Sequence, residues 1–397
     1  MTGEPLKILI ALQYYVPHRT GLTLHVQRVA EALAARGHQV TVLTARYDLS
    51  LPRDEQVING VRVIRLWAPI RVTRGMIMPA YPWAAFRLVQ MHDVVSIHTP
   101  MLETAIYALY TRLLGRGLVI THHGDLILPA GAFNRFVEWF TFQLYKMAGR
   151  AAHRIIAYSY DYADHSYYIA PFREKTSAVY PPIVIPTPDP RHVEELRARW
   201  LAGANGDARL IGYAGRFVEE KRPDVLIRAL PVIHEKYPGT RIVFAGEYDI
   251  KYEDFYRRNL PLIERYREHL IFLGLLTGAQ ELANFYAACD VLALPSDTEC
   301  FALVQVEAMR CGTPVVATDI PGAREVVKVT GMGEIVPPRD PEAMGRAIVR
   351  VLDNRAAYVR PLEEIDAAFN FEETVDRYER HLRAAAEAAR RGRRKRG

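Results

Sequence analysis

The 397 residues contain no apolar run approaching the roughly eighteen needed to cross a bilayer, so no membrane-spanning helix is expected. The opening residues, MTGEPLKILIALQYY, lack the basic leader, apolar stretch and small-residue cleavage site of a secretory signal, which points to a cytoplasmic protein. Cysteine is scarce. Cys289, Cys300 and Cys311 show no CxxC spacing, and so low and odd a count excludes a disulfide framework; reduced, buried thiols are expected. No D–x–D sequence occurs, which leaves a metal held by paired aspartates without support, and neither metal nor cofactor is expected. Both halves lack a G-x-G-x-x-G run after a first strand, and the chain lacks the Gly-Lys pair of a phosphate loop. Those two absences argue against a Rossmann dehydrogenase and a P-loop enzyme.

A generally basic surface is missing as well. The formal charge is +6, yet the last eight residues, RRGRRKRG, carry six cations by themselves. Without them the chain is neutral, so no nucleic-acid partner is expected.

What the sequence does contain is a long alternation of short apolar runs with amphipathic stretches. KILIAL (7–12), HQVTVLTA, VRVIRL (61–66), DVVSIH (93–98), GLVITH (117–122) and RIIAYS (154–159) read as buried strands, with a helix predicted from about Thr23 to Ala35. Five prolines in residues 181–190 then predict a stiff linker. A second series follows: LIGYAG (210–215), RIVFAG (241–246), LIFLG (270–274), DVLALP (290–295) and PVVATD (314–319). Such alternation predicts an α/β protein with two doubly wound Rossmann-like domains facing a cleft. The boundaries read as residues 1–185, residues 186–369, a C-terminal helix over 370–390 and a basic tail over 391–397. Ligands of open α/β sheets bind beyond the carboxyl ends of the strands, so the loops there should carry the chemistry.

Two constellations lie in such loops. After LIGYAG, Arg216 and Lys221 stand at the opening of a helix, where two cations and free N–H groups suit a diphosphate; a solvated charge cluster is the bland alternative. After DVLALP, Glu299 lies in the loop and Glu307 about two turns into the next helix. One carboxylate can accept ribose hydroxyls, the other the hydroxyls of a sugar ring. Backbone N–H groups of Phe301, Ala302 and Leu303 open that helix and suit a phosphate or sugar; two unrelated helix-start acids remain the alternative.

Together, GRFVEEKRPDVLIRAL, HLIFLGLLTGAQELANFYAACDVLALPS, ECFALVQVE and AMRCGTPVVATDIPGAREVV resemble the GT-B glycosyltransferases of family four, which includes glycogen, sucrose and lipid-linked mannosyl transferases. The resemblance spans nearly the whole chain. It implies that Arg216 and Lys221 bind the donor diphosphate, that Glu307 binds the ribose, that Glu299 contacts the donor sugar and that Leu276 lies beside the base. THHGD is similar to a family loop that makes His123 the residue facing the donor sugar, and Gly21 would admit the diphosphate to the first loop. The C-terminal helix would cross back to the first domain. Departures are equally visible. Ala302 and Arg222 stand where the family has glycine, Thr20 precedes Gly21 where relatives carry two glycines, and GEYDIKY replaces a glycine-rich loop.

The resemblance thus implies a retaining, metal-independent hexosyltransferase using a UDP- or GDP-linked sugar, with a glycan or lipid-linked acceptor. A GT-B nucleotide-sugar epimerase and a non-catalytic nucleotide-sugar-binding protein are the alternatives. Aromatics in MIMPAYPWAAF (76–86) and FNRFVEWFTFQLYKMAGR (133–150), with the Arg390–Arg396 tail, fit a peripheral contact with an anionic membrane. The spacing of Phe136, Phe140 and Leu144 instead favours an ordinary core stripe.

Overall fold

The computed structural model describes residues 4–72, 75–126, 131–250 and 253–395, which divide into two compact units. One comprises the chain up to Pro182 together with the segment from Phe371 onward; the other runs from Ile183 to Asn370. The first boundary thus falls inside the proline-rich segment.

The first unit's main sheet contains β1 (Lys7–Ala11), β2 (Gln39–Arg46), β3 (Gln56–Ile58) and β4 (Val61–Trp67). After a separate hairpin of β5 (Ile70–Val72) and β6 (Gly75–Ile77), it continues with β7 (Val94–Thr99), β8 (Gly117–His122), β9 (Arg154–Ala157) and β10 (Thr176–Ala178). Its order is β10-β9-β8-β7-β1-β2-β4-β3, parallel except where β3 meets β4. The second unit holds β11 (Leu210–Ala214), β12 (Arg241–Ala245), β13 (Leu270–Gly274), β14 (Val291–Leu294), β15 (Val315–Thr318) and β16 (Gly333–Val336), all parallel, in the order β13-β12-β11-β14-β15-β16.

These strands read as unbroken apolar runs because helices cover both faces; Ile8, Leu9, Ile242 and Val243 are completely buried. The order reverses direction between β1 and β7 in one sheet and between β11 and β14 in the other. At such a switch point the flanking connections leave to opposite sides and open a crevice.

The C-terminal helix, Phe371–Arg394, packs into the first unit through Val375, Tyr378, Leu382, Ala385, Ala386 and Ala389, a 3.6-residue stripe. Its small residues allow close approach: a Cβ on Gly117 would lie 2.8 Å from the Ala385 backbone. At the N-terminal end, Arg36 bonds Glu372, Asp376 and Glu379 at 2.7, 2.6 and 3.1 Å. At the other end, Arg390 pairs with Asp93 at 2.9 Å. The tail is therefore helical through Arg394, while Arg396 lies outside the described residues.

One expectation is overturned. Phe136 and Phe140 are not core: they are 58% and 47% exposed. The helix Ala132–Ala151 buries its opposite face, Thr141, Tyr145, Ala148 and Gly149.

Candidate active site

The exits of β11 and β14 build the densest charged cluster at the second switch point. Glycine is required where the strands leave, because a Cβ on Gly246 would sit 2.1 Å from the Gly215 carbonyl oxygen. The buried Tyr213 hydroxyl then donates to the Arg216 carbonyl at 2.8 Å and fixes the turn. A 3-10 turn, Glu219–Lys221, follows, and the next helix starts only at Pro223. Arg216 and Lys221 therefore both precede the α-helix.

The two loops are joined directly. Lys221 Nζ lies 2.6 Å from Glu299 Oε1, an oxygen that also accepts from the Ser296 hydroxyl at 2.9 Å. The Asp297 N–H donates to the Glu220 carbonyl at 2.9 Å. Gly322 supports this loop from below: its φ is +85°, and a Cβ there would lie 2.4 Å from the Glu299 carbonyl oxygen. Arg216 pairs with Glu220 at 3.2 Å and keeps about a third of its side chain exposed. Glu307 accepts from the Tyr286 hydroxyl at 3.0 Å. Burial, then the Glu307 charge, raises the Tyr286 phenol far above its ordinary range, so it stays a donor.

Glu307 lies little more than one turn into the helix Leu303–Arg310, closer to its start than expected. That helix opens without a side-chain cap, and Ala302 before it holds a left-handed backbone with φ 56°. Phe301 is buried against Phe369 with ring centroids 5.8 Å apart. Leu276 is half-buried in the loop after β13. Burial, then the Glu299 charge, pushes the Cys300 thiol up to about 12, which leaves it protonated and no nucleophile. Cations and an uncapped helix start are groups that suit an anion, and carboxylates are groups that can take hydroxyls.

The first unit is differently furnished. Gly21 is exposed and begins the helix Gly21–Ala35, whose Thr20 and Thr23 form a capping box. Its backbone is outside the left-handed region, so glycine is not required there by φ. His123 is only 9% exposed, and both ring nitrogens have protein partners, His98 at 2.8 Å and the Tyr158 hydroxyl. Burial, then His25 and His98, drives its pKa well below the ordinary histidine value. One ring nitrogen each from His25, His98 and His123 lies within 4.8 Å of the others. His98 Nδ1 and His123 Nε2 face each other at 2.8 Å, and His25 Nε2 lies 2.8 Å from the Tyr378 hydroxyl. His25 and His98 were not singled out from the sequence, since each sits alone in an apolar stretch. A second missed feature is Gln13, whose amide donates to both Glu103 oxygens at 2.9 and 2.8 Å beside the first switch point. Burial raises the pKa of the Glu103 carboxyl.

Two doubly wound sheets, parallel apart from β3, one of them with a cation–carboxylate cluster at its switch point, are the architecture of GT-B enzymes. Comparison with known proteins makes the class specific. A family model described as Glycosyl transferase 4-like domain matches residues 20–182, and one described as Glycosyl transferases group 1 matches residues 195–365. The chain belongs to this family of glycosyltransferases. It is 30% identical to the phosphatidyl-myo-inositol mannosyltransferase of Mycobacterium leprae, over 84% of each chain. It is 28% identical to an uncharacterized glycosyltransferase of Methanocaldococcus jannaschii, over 88% of this chain and 90% of that one. HepE of Anabaena, solved in complex with UDP and glucose, superposes with a TM-score of 0.72 at 20% identity, covering 95% of this chain and 99% of its own.

Proposed function

We propose that this glycosyltransferase moves a hexose from a UDP- or GDP-linked sugar to a lipid-linked or glycan acceptor, retaining the anomeric configuration and using no metal. The Lys221–Glu299 contact carries the reading, because it brings the two motif loops to one point at the sheet's switch point. Arg216 and Lys221 bind the diphosphate and meet the charge that develops on the leaving nucleotide, helped by the backbone N–H groups of Phe301, Ala302 and Leu303. Glu307 takes the ribose hydroxyls, Glu299 the donor sugar, and Leu276 lies beside the base. Gly21 admits the diphosphate to the first loop, and His123 meets the donor sugar. HepE's complex with UDP and glucose supports a nucleotide-sugar donor. The test is a thermal-shift panel of UDP-, GDP- and ADP-sugars. A bound donor at a hundred times its Kd stabilises the fold by about 2.7 kcal/mol. No shift from any of them at millimolar concentration would sink the assignment.

A lipid-linked acceptor is favoured by the exposed aromatic face of the first unit. Phe133, Phe136 and Trp139 on the helix Ala132–Ala151 are 58–67% exposed, as are Trp83 and Leu113 on the neighbouring helices Tyr81–Met91 and Thr104–Leu114. Arg87 stacks over Trp83 at 4.7 Å, and Arg391, Arg393 and Arg394 are exposed on the C-terminal helix. Amphipathic aromatics with cations around them suit the surface of an anionic bilayer. Among the described residues no helix is long and apolar enough to cross one. The enzyme then works peripherally, on the inner face of the membrane. Co-sedimentation with phosphatidylglycerol vesicles should fall several-fold in a Phe136→Ser, Trp139→Ser double variant; equal pelleting, or none by the parent, would remove the membrane.

A further inference from the structure

His123 belongs to a closed group of rings contributed by distant parts of the chain. Its Nε2 lies 2.8 Å from His98 Nδ1, its Nδ1 bonds the Tyr158 hydroxyl, and His98 Nε2 reaches the Ser96 hydroxyl at 3.3 Å. The His25 ring stands against His123 with centroids 5.0 Å and planes 85° apart. His25 Nε2 is 2.8 Å from the hydroxyl of Tyr378, which sits 353 positions further along, on the C-terminal helix. His25, His98, Tyr158 and Tyr378 are all at most 4% exposed.

Glycosyl transfer passes through a transition state with positive charge on the sugar ring. An imidazolium beside that ring would oppose the charge; a neutral imidazole would not. The cluster disfavours the cation. A proton on any one ring would sit in a dry interior beside the other two, with Arg28 acting against it at His25 and His122 at His123. The nearby carboxylate, Asp125, is engaged by His122 at 3.1 Å and by the Ser166 hydroxyl at 2.8 Å.

We propose that His98, Tyr158, His25 and Tyr378 are positioning residues that hold His123 uncharged and in one orientation toward the donor sugar, and that the C-terminal helix enters the reaction through Tyr378. The catalytic part rests on His123 meeting the donor sugar; the state of the cluster does not.

The test uses the full chain labelled with 15N in its histidine rings, read by long-range proton–nitrogen NMR and assigned with single His→Gln variants. His98 and His123 should each show one neutral tautomer from about pH 8 to pH 5.5, where a free histidine titrates. Tyr378→Phe should mix the His25 tautomers and shift the His123 resonances. With the most stabilising nucleotide sugar of the panel, Tyr378→Phe and Tyr158→Phe should each lower kcat about tenfold and leave donor KM within about twofold. They should also add an acid limb to the kcat profile that the parent lacks. A parent His123 that titrates near 6.5 overturns the proposal, as does a Tyr378→Phe protein with parental resonances and pH profile. If Tyr378→Phe does not fold, Ser96→Ala releases the far end of the chain and is read the same way. A protein that binds no nucleotide sugar counts against the function, while the NMR result still decides the cluster.

Discussion

At the second switch point Lys221 pairs with Glu299 at 2.6 Å and Arg216 with Glu220 at 3.2 Å, and Glu307 follows on the helix after β14. Around the exits of β1, β7 and β8 the first sheet gathers three buried histidines, their tyrosine partners and the Gln13–Glu103 pair. Sheets of one topology class thus hold opposite electrostatics. A charged cluster can exchange its internal partners for a diphosphate and hydroxyls, whereas a dry neutral cluster keeps its partners and fixes geometry. On the proposed function, leaving-group chemistry falls to the second unit and orientation to the first.

The sharpest way to break the comparison is to remove the charged half. Lys221→Ala and Glu307→Ala should each cut transfer at least tenfold, and about 10²–10³-fold for the lysine if it meets leaving-group charge. Glu299 keeps the Ser296 hydroxyl at 2.9 Å when Lys221 is gone, so the fold should survive. Near-normal turnover by either soluble, cooperatively folded variant would return these residues to ordinary surface pairs.

Acid should separate the units by stability. Burial holds His98 down at about 3 and drives His25 and His123 well below 6.5. Folding therefore keeps them neutral while the unfolded chain protonates near 6.5. Their contribution is fully present above about pH 6.5 and is lost as pH falls below it, up to about 1.4 kcal/mol per pH unit for each histidine. A carboxylate at its ordinary value has barely begun to titrate between about pH 6.5 and 5, and each unit holds one carboxyl that burial raises, Glu103 in the first and Asp224 in the second. Hydrogen exchange corrected for intrinsic rates should show β1, β7 and β8 losing protection in that window before β11, β12 and β14. Equal loss in both units would contradict the neutral-cluster account.

How much of this was legible in advance depended on chain locality. Long apolar strands such as KILIA and LIGYA declare themselves through composition, and the motif loops carry their residues within a few positions of each other. Among the described residues eight strands have only three or four residues, too few for a period: β9, β14 and β15 show through the longer runs RIIAYS, DVLALP and PVVATD, and β3, β5, β6, β10 and β16 have no such run. The Lys221–Glu299 contact joins residues 78 positions apart and the His25–Tyr378 contact residues 353 apart; the family motifs anticipated the first site, and nothing local anticipated the second. Phe136 and Phe140 are exposed against expectation because i, i+4 spacing marks one face of a helix without saying which face is covered.

The smallest predicted effect tests the two places where the chain departs from glycine. Ala302 and Arg222 both hold left-handed backbones, with φ of 56° and 49°. A non-glycine residue there costs roughly 1–2 kcal/mol, partly offset by the greater freedom of unfolded glycine. Ala302→Gly should then stabilise the protein by about 0.5–1 kcal/mol in urea unfolding. Arg222→Gly should not, although the backbone relief is the same. The Arg222 guanidinium lies 2.8 Å from Asp224, whose side chain is 6% exposed and whose carboxyl burial already pushes up. Its other oxygen, Oδ1, has no hydrogen-bond partner, and Arg228 stands only at 3.8 Å. Removing Arg222 leaves a buried carboxylate weakly paired, a loss of about 1–3 kcal/mol that outweighs the gain. Opposite signs for the two glycine substitutions are the expected result. Stabilisation by both would mean that the Arg222–Asp224 pair contributes nothing and that this loop, like the one at Ala302, is governed by its backbone alone.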